Sequence, residues 1–379
     1  MASTSICDSI ATIARDTKIP LIREMSQISH KTSINLGLGQ LTWAVDPQIE
    51  EVFKNPQPSD YLYSPNAGSQ KLREAVAARY GYGNADNAVI TIGVQEAVYD
   101  TVAALKRAGA KKVLIPNIAF GIYQKISSEF GLDVQKFNLT PSSLGISFAD
   151  FDEAVELHKP DVVFLNFPGN PTGIGIDDGQ QSMIASVLRA HGSPYVISDE
   201  IYRDLTFFGE KPRSFSTYYD NTVVVDGVSK SGACAGTRVG WAYTKNPDLA
   251  KIITGVGTNV KSSPPTITMR AALPIVDGRT APTIASYNER LAKNFNITAE
   301  FLSDVDIQVP QSTGGFYVFP NLRMRDTETF CKELAAKENG VTIIPGKAFG
   351  APSHVRISFA SDKIEEGMKR FVATYCPGF

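Results

Sequence analysis

Short, continuous apolar runs recur through the middle of the chain, with amphipathic stretches between them. Ala88–Ile92, Lys112–Pro116, Asp161–Asn166, Tyr195–Asp199 and Thr222–Asp226 each read as a strand buried on both faces. Val239–Tyr243 reads as one more. Between them the period changes. Gln95–Ala108 carries Ala97, Val98, Thr101, Val102 and Leu105 on one helical face. SQKLREAVAARYG predicts a helix capped by Ser69 and stopped by Gly81 or Gly83. Strands separated by helical stretches predict an α/β fold, a mainly parallel sheet covered on both faces. In such sheets ligands bind at the carboxyl ends of strands.

From about Pro274 the pattern shifts. A long polar helical stretch runs from Asp277 to Ser303. Strand-like segments follow at Gly315–Phe319, Val341–Pro345 and His354–Ala360, with helices near 326–338 and 363–375. That predicts a smaller α+β domain. The expected division is an amino-terminal arm and the start of the small domain over 1–45, a large domain over 46–275 and a small domain over 276–379. Residues 1–34 are polar with weak helical periodicity. Such an arm packs on a partner subunit or is loosely held, and the sequence leaves both open.

Composition narrows the partners. The 379 residues carry a net charge of −2 with no Lys/Arg block, which argues against nucleic acid and anionic membrane. Cys7, Cys234, Cys331 and Cys376 are scattered, and so are the histidines, so neither a disulfide framework nor a metal site is expected. The chain opens without a signal-peptide pattern and has no apolar run of membrane-spanning length, so the cytoplasm is the expected compartment.

The candidate chemistry centres on TVVVDGVSKSGACAGTRVGW, Thr222 to Trp241. Lys230 follows a strand end with Ser229 beside it, and Arg238 comes shortly after. A lysine so placed suits a Schiff base to an aldehyde cofactor, with the serine and arginine holding a phosphate. Read alone, the segment is equally a surface loop. Other strand ends add company. The Asp199 carboxylate can keep a pyridine nitrogen protonated. Tyr202 and Asn170 can donate to a phenolate oxygen. The amides of Val94 and Gln95 open a helix, where an anion is favoured. Phe120 can stack on a ring. Arg356, in the apolar strand HVRISFA, is costly to bury without an anion and can clamp a carboxylate. Gly39 lies in a loop suited to close approach. Trp43, Tyr63 and Phe120 suggest an aromatic-lined pocket. Lys261 and Arg270 read as solvated or as partners for an acidic group.

The ordered set YSPNAGSQKLREA, GNPTG, SDEIY, SKSGACAGTRVGW and IIPGKAFG…HVRISFA resembles the class I/II aminotransferases, fold-type I pyridoxal phosphate enzymes, over roughly Leu36 to Phe371. The resemblance implies a seven-stranded-type sheet and pyridoxal 5'-phosphate joined to Lys230. By position it makes Lys230 also the base that moves the proton. Asp199 becomes the pyridine-nitrogen partner, Tyr202 and Asn170 the phenolate ligands. Ser229, Arg238 and the Val94–Gln95 turn form the phosphate cup, and Phe120 stacks on the ring. Arg356 takes the substrate carboxylate, beside Gly39 and Trp43. Tyr63 reaches the phosphate of the neighbouring subunit, which implies a homodimer with shared active sites. The implied activity is transfer of an amino group between an L-amino acid and a 2-oxo acid. GQLTW and Arg270 depart from the usual family pattern on the substrate side. A lyase or cyclase using the same cofactor is therefore the alternative, with a non-catalytic regulator as a third reading.

Overall fold

The computed structural model describes residues 19–376 together with Ile6, Ile10 and Ala14. Cys7 and most of the amino-terminal arm lie outside the described residues. The strands of the main sheet are β1 (Ala88–Thr91), β2 (Lys112–Pro116), β3 (Asp133–Phe137), β4 (Val162–Asn166), β5 (Tyr195–Asp199), β6 (Thr222–Gly227) and β7 (Gly240–Thr244). They form one seven-stranded sheet in the order β1-β7-β6-β5-β4-β2-β3. β7 is antiparallel to both its neighbours, and the remaining pairs are parallel.

The continuous apolar runs follow from cover on both faces. Ile115, Phe164, Ile197 and Val225 meet the helices Val94–Arg107 and Pro247–Lys261 on one side. Leu114, Val163, Leu165 and Val196 meet Phe148–His158 and Asp178–Ala190 on the other. Successive side chains point to opposite faces, so an apolar residue is needed at every position of a doubly covered strand. The edge strand β3 escapes the rule. It pairs only with β2, and its middle residues are half-buried or exposed. The apolar-run criterion therefore missed it. Another expectation also needs correction. No α-helix joins β5 to β6; a turn after Asp199 and a short 3-10 segment, Phe215–Thr217, do so.

Local signals account for the helix ends. The Ser69 hydroxyl accepts from the Leu72 amide at 3.4 Å, and Gly81 takes a left-handed φ of 69° after Tyr80. At the other helix that matters here, Gly93 (φ 79°) precedes Val94 without a side-chain cap.

The carboxy-terminal region builds a second core. Ile34–Asn35 pairs in parallel with Val341–Thr342. A three-stranded antiparallel sheet has the order Ile344–Pro345, Val355–Ser358, Tyr317–Val318. The helices Ala281–Asp304, Glu328–Ala336 and Ile364–Tyr375 cover them, and Leu36, Phe316, Ile357 and Phe371 lie in the common core. Tyr202 and Leu205, just beyond β5, join the same core, which fixes the two sheets against each other. Among the described residues, no helix is long and apolar enough to cross a membrane.

Candidate active site

Because β1 and β2 through β6 run the same way, their carboxyl ends share one edge of the sheet. Asn170 and Lys230 follow β4 and β6 there, and Asp199 is the last residue of β5. Gly93 follows β1, and Phe120 follows β2. Residues far apart in sequence are brought together because each ends a strand.

The Lys230 ammonium donates to the Gly39 carbonyl oxygen. It lies 5.9 Å from the ring centres of both Tyr202 and Phe316. Burial and the nearby Arg356 charge lower its pKa to about 8, against the opposing pull of Asp199. Among the described residues Lys230 makes no ion pair.

Asp199 is buried, and burial pushes its pKa up to about 6 despite two hydrogen bonds. One is from the Tyr123 hydroxyl at 2.6 Å, the other from the Ile201 amide at 3.2 Å. Tyr123 in turn stacks on Phe164 with ring centres 4.8 Å apart, and Phe120 meets it edge-on at 6.0 Å. Sequence reasoning missed Tyr123. The available signal was its spacing of three from Phe120, which places both on one side of a helical turn.

Arg356 lies opposite Ile344 in the small sheet and is 2% exposed. One terminal nitrogen donates to the Asn170 side-chain oxygen at 2.8 Å and the other to the Gly37 carbonyl at 2.8 Å. Its Nε is buried without a hydrogen-bond partner. An orphaned donor on a buried cation is costly unless an acceptor arrives. The Asn170 side-chain oxygen accepts from Arg356, and its amide protons remain for another group. Its own backbone amide donates to the Asn166 side chain at 2.9 Å, and Asn166 also donates to the Asp199 carbonyl at 2.9 Å. The turn after β4 is thereby tied to the end of β5.

The opening of the Val94–Arg107 helix is crowded by design. A Cβ on Gly240 would come within 2.7 Å of the Val94 nitrogen, and one on Gly93 would collide with the Arg238 guanidinium. Arg238 itself has φ 55°, an uncommon conformation for a branched-out side chain, and donates to Ala235 and Ile92 carbonyls at 3.0 and 3.4 Å. A cation against a helix amino terminus is repelled unless an anion sits between them. Ser229, next to Lys230 in sequence, is buried.

The remaining expectations fall out differently. Tyr63 is 91% exposed, beside the exposed Tyr61 and Leu62. Trp43 is built into the carboxy-terminal core rather than presented to a pocket. Its indole donates to Asp362 at 3.0 Å, and its ring packs on Tyr287 and under Arg290. Lys261 and Arg270 are not solvated. Lys261 is buried against Glu96 and Asp100, 3.2 and 3.5 Å away, and Arg270 holds Asp60 at 2.6 Å. A cavity of about 670 Å³ is lined by residues such as Asn35, Gln40 and Lys363. A smaller one opens among Ala119, Tyr123 and Asn170.

A buried amine with a lowered pKa, a buried carboxyl, a cationic anion cup and an under-satisfied arginine fit pyridoxal phosphate. The group offers an aldehyde, a ring nitrogen, a phenolate and a phosphate to match them.

The whole chain superposes on solved structures of this kind. Aspartate aminotransferase from Thermus thermophilus with maleate matches with a TM-score of 0.87 at 21% identity, over 99% of this chain and all of that one. N-succinyldiaminopimelate aminotransferase from Mycobacterium tuberculosis matches with a TM-score of 0.85 at 22% identity, over 95% of this chain and 98% of the other. These define the fold. The family model for aminotransferase class I and II matches residues 31–374, so the chain belongs to that family and is a pyridoxal phosphate-dependent aminotransferase. The curated aspartate aminotransferase of Bacillus subtilis (strain 168) is 27% identical over 370 residues, 92% of each chain. Aromatic-amino-acid aminotransferase 2 of Thermococcus litoralis is 27% identical over 355 residues, 89% of this chain and 90% of that one.

Proposed function

We propose that Lys230 is the residue through which this aminotransferase holds its cofactor and moves the proton, with an α-amino acid and a 2-oxo acid as its substrates. The observation that carries this is the buried amine without an ion pair among the described residues, its pKa lowered to about 8. Near that pH a substantial share of the amine is neutral, so it can both add to a carbonyl and accept a proton. Pyridoxal phosphate supplies, when bound, the aldehyde for that amine and a ring that draws electrons from the amino acid's α-carbon.

The protein's own residues do the rest. Asp199, held by Tyr123 and the Ile201 amide, would meet the ring nitrogen and keep its proton in place. Tyr202 and the Asn170 amide donate to the phenolate oxygen. Ser229, Arg238 and the Val94 and Gln95 amides take the phosphate, and Phe120 covers one face of the ring. Arg356 offers its unpartnered Nε to the substrate carboxylate and so orients the α-carbon toward Lys230. Freed when the substrate's own amine takes its place at the aldehyde, the Lys230 amine would take up the α-proton and later give it back.

The exposed run Tyr61, Leu62 and Tyr63 supports a homodimer with shared active sites. Side chains this apolar and this exposed call for a partner surface, and Tyr63 is the one we assign to the neighbouring phosphate site. The unpaired thiols of Cys234 and Cys331 suit the cytoplasm.

A half-reaction tests the activity. An amino acid added alone is expected to bleach the visible band of the holoenzyme and release no more than one oxo acid per site. A 2-oxo acid then restores the band. Continuous turnover with no oxo acid acceptor would instead identify a lyase or cyclase.

A further inference from the structure

Tyr317 touches three of the groups assigned above and has no role in that assignment. It is 1% exposed on the strand Tyr317–Val318. Its ring lies against the Arg356 guanidinium, whose carbon is 4.3 Å from the ring centre. Its hydroxyl is 3.2 Å from the Tyr202 hydroxyl. A Cβ on Gly39 would come within 2.8 Å of that same hydroxyl, and the Gly39 carbonyl receives the Lys230 ammonium.

The proton count decides how the two tyrosines are arranged. A phenol has one proton to donate. If Tyr202 gives its proton to the cofactor's phenolate oxygen, then in the contact with Tyr317 it can only accept. The Tyr317 proton must therefore point at Tyr202. A hydroxyl that accepts a hydrogen bond donates a stronger one, so Tyr317 strengthens what Tyr202 offers the ring oxygen. The Arg356 charge over the Tyr317 ring draws density from it and favours the donor role of its hydroxyl. In return, the face of the ring holds a guanidinium whose Nε has no partner of its own. Both phenols are pushed to higher pKa by burial, which keeps them protonated and able to act as donors.

We propose that Tyr317 is a positioning residue with two separable tasks. Its hydroxyl sets the direction of the Tyr202 proton, and its ring sets the plane of the Arg356 clamp. The proposal rests on the roles given above to Lys230, Tyr202 and Arg356.

Two variants separate the tasks. Tyr317→Phe removes the hydroxyl and keeps the ring. Tyr317→Leu removes both. The first readout is the pH titration of the visible band of the holoenzyme without substrate. The second is the KM for the amino acid. Tyr317→Phe is expected to raise the pKa of the band by about half a unit, because the ring oxygen receives a weaker hydrogen bond. It leaves KM within about twofold. Tyr317→Leu is expected to raise KM by roughly tenfold, the scale of a lost cation–π contact in a buried site. A band that titrates in Tyr317→Phe as in the parent would overturn the hydroxyl's task. Equal KM values in both variants would overturn the ring's. Absence of the visible band from the parent holoenzyme would instead defeat the Lys230 assignment and the proposal with it. Denaturant midpoints of the variants identify any loss of fold, and Tyr317→Phe, which fills the same volume, keeps the first readout usable if Tyr317→Leu does not fold.

Discussion

Two groups of buried charge stand within a few residues of each other, and they are built on opposite principles. One gathers Arg79, Asp204, Asp226, Glu200 and Arg203, with the half-exposed Lys211 at its edge. Here every charge has an opposite partner. Arg79 reaches both Asp204 and Asp226, Lys211 holds Asp204 at 2.5 Å, and Arg203 lies 3.2 Å from Glu200. Tyr80 donates to Asp226 at 3.1 Å and receives the Trp241 indole at 2.9 Å. Burial works against the Asp204 charge, yet Arg79 and Lys211 outweigh it and hold its pKa low. The other group is Lys230, Arg356 and Asp199. None of these forms an ion pair among the described residues, and burial together with the Arg356 charge lowers the pKa of Lys230. Asp226 and Lys230 are four residues apart on one strand end, so burial alone does not distinguish the groups. What does is completeness. The first meets its charges with opposite ones inside the chain, although burial pushes the Asp226 pKa up to about 7. The second has no such partners within the described residues, and on the roles proposed above an aldehyde, an anion and a ring nitrogen would complete it.

Mutations on either side should therefore fail in different ways. Lys230→Ala is expected to lower kcat by at least about 10⁴-fold, since both the covalent anchor and the proton carrier are lost. Its urea midpoint should not fall, because a buried amine without a counter-ion is removed. Arg79→Ala should do the reverse. Leaving Asp204 and Asp226 buried without their shared cation is expected to cost about 3–5 kcal/mol in chemical denaturation. Turnover per folded molecule should stay within a few-fold of the parent. A large kcat defect with unchanged stability in Arg79→Ala would dissolve the distinction.

Smaller changes sharpen it. Arg356→Gln is expected to raise the amino-acid KM about 100-fold, a loss of roughly 3 kcal/mol, with a lesser effect on kcat. Tyr123→Phe removes a hydrogen bond that lowers the Asp199 pKa, so that pKa should climb further above about 6. Steady-state profiles should show the acid limb of kcat/KM moving to higher pH, with roughly a tenfold loss at its foot. The least conspicuous effect is on stability. In the cofactor-free protein Lys230 binds its proton less tightly folded than unfolded, with pKa about 8 against 10.5. The unfolded chain then holds more protons between those values, so stability should rise with pH across that window. Lys230→Ala should lack that rise, and the difference between the two denaturation series isolates it.

Much of this was legible in the sequence, for a physical reason. A doubly covered parallel strand must be apolar at every position, so β2 and β5 could be bounded to the residue, and their ends pointed to Asp199 and Phe120. The edge strand Asp133–Phe137, half wet, carries no such signal. At the site, Arg356 stood out because an arginine in an apolar strand needs an anion, and Lys230 and Asp199 because they fall at strand ends. Tyr123 and Tyr317 did not, since a tyrosine in an apolar run is the same letter whether its hydroxyl points at a carboxylate or at nothing. Trp43 misled in the opposite sense: a large aromatic beside a glycine-rich loop suggested a pocket wall, but its indole belongs to Asp362. Lys261 and Arg270 looked solvated because their partners, Asp100 and Asp60, lie more than a hundred residues away in the chain. Pairings over that distance are made by the fold and leave no local trace.

The account turns on one amine. Reduction of the pyridoxal phosphate-loaded protein with borohydride, followed by proteolysis and mass spectrometry, reads it directly. The pyridoxyl label is expected on the peptide containing Lys230, at one per chain, and to vanish in Lys230→Ala. A label on another lysine, or none on the parent, would contradict it.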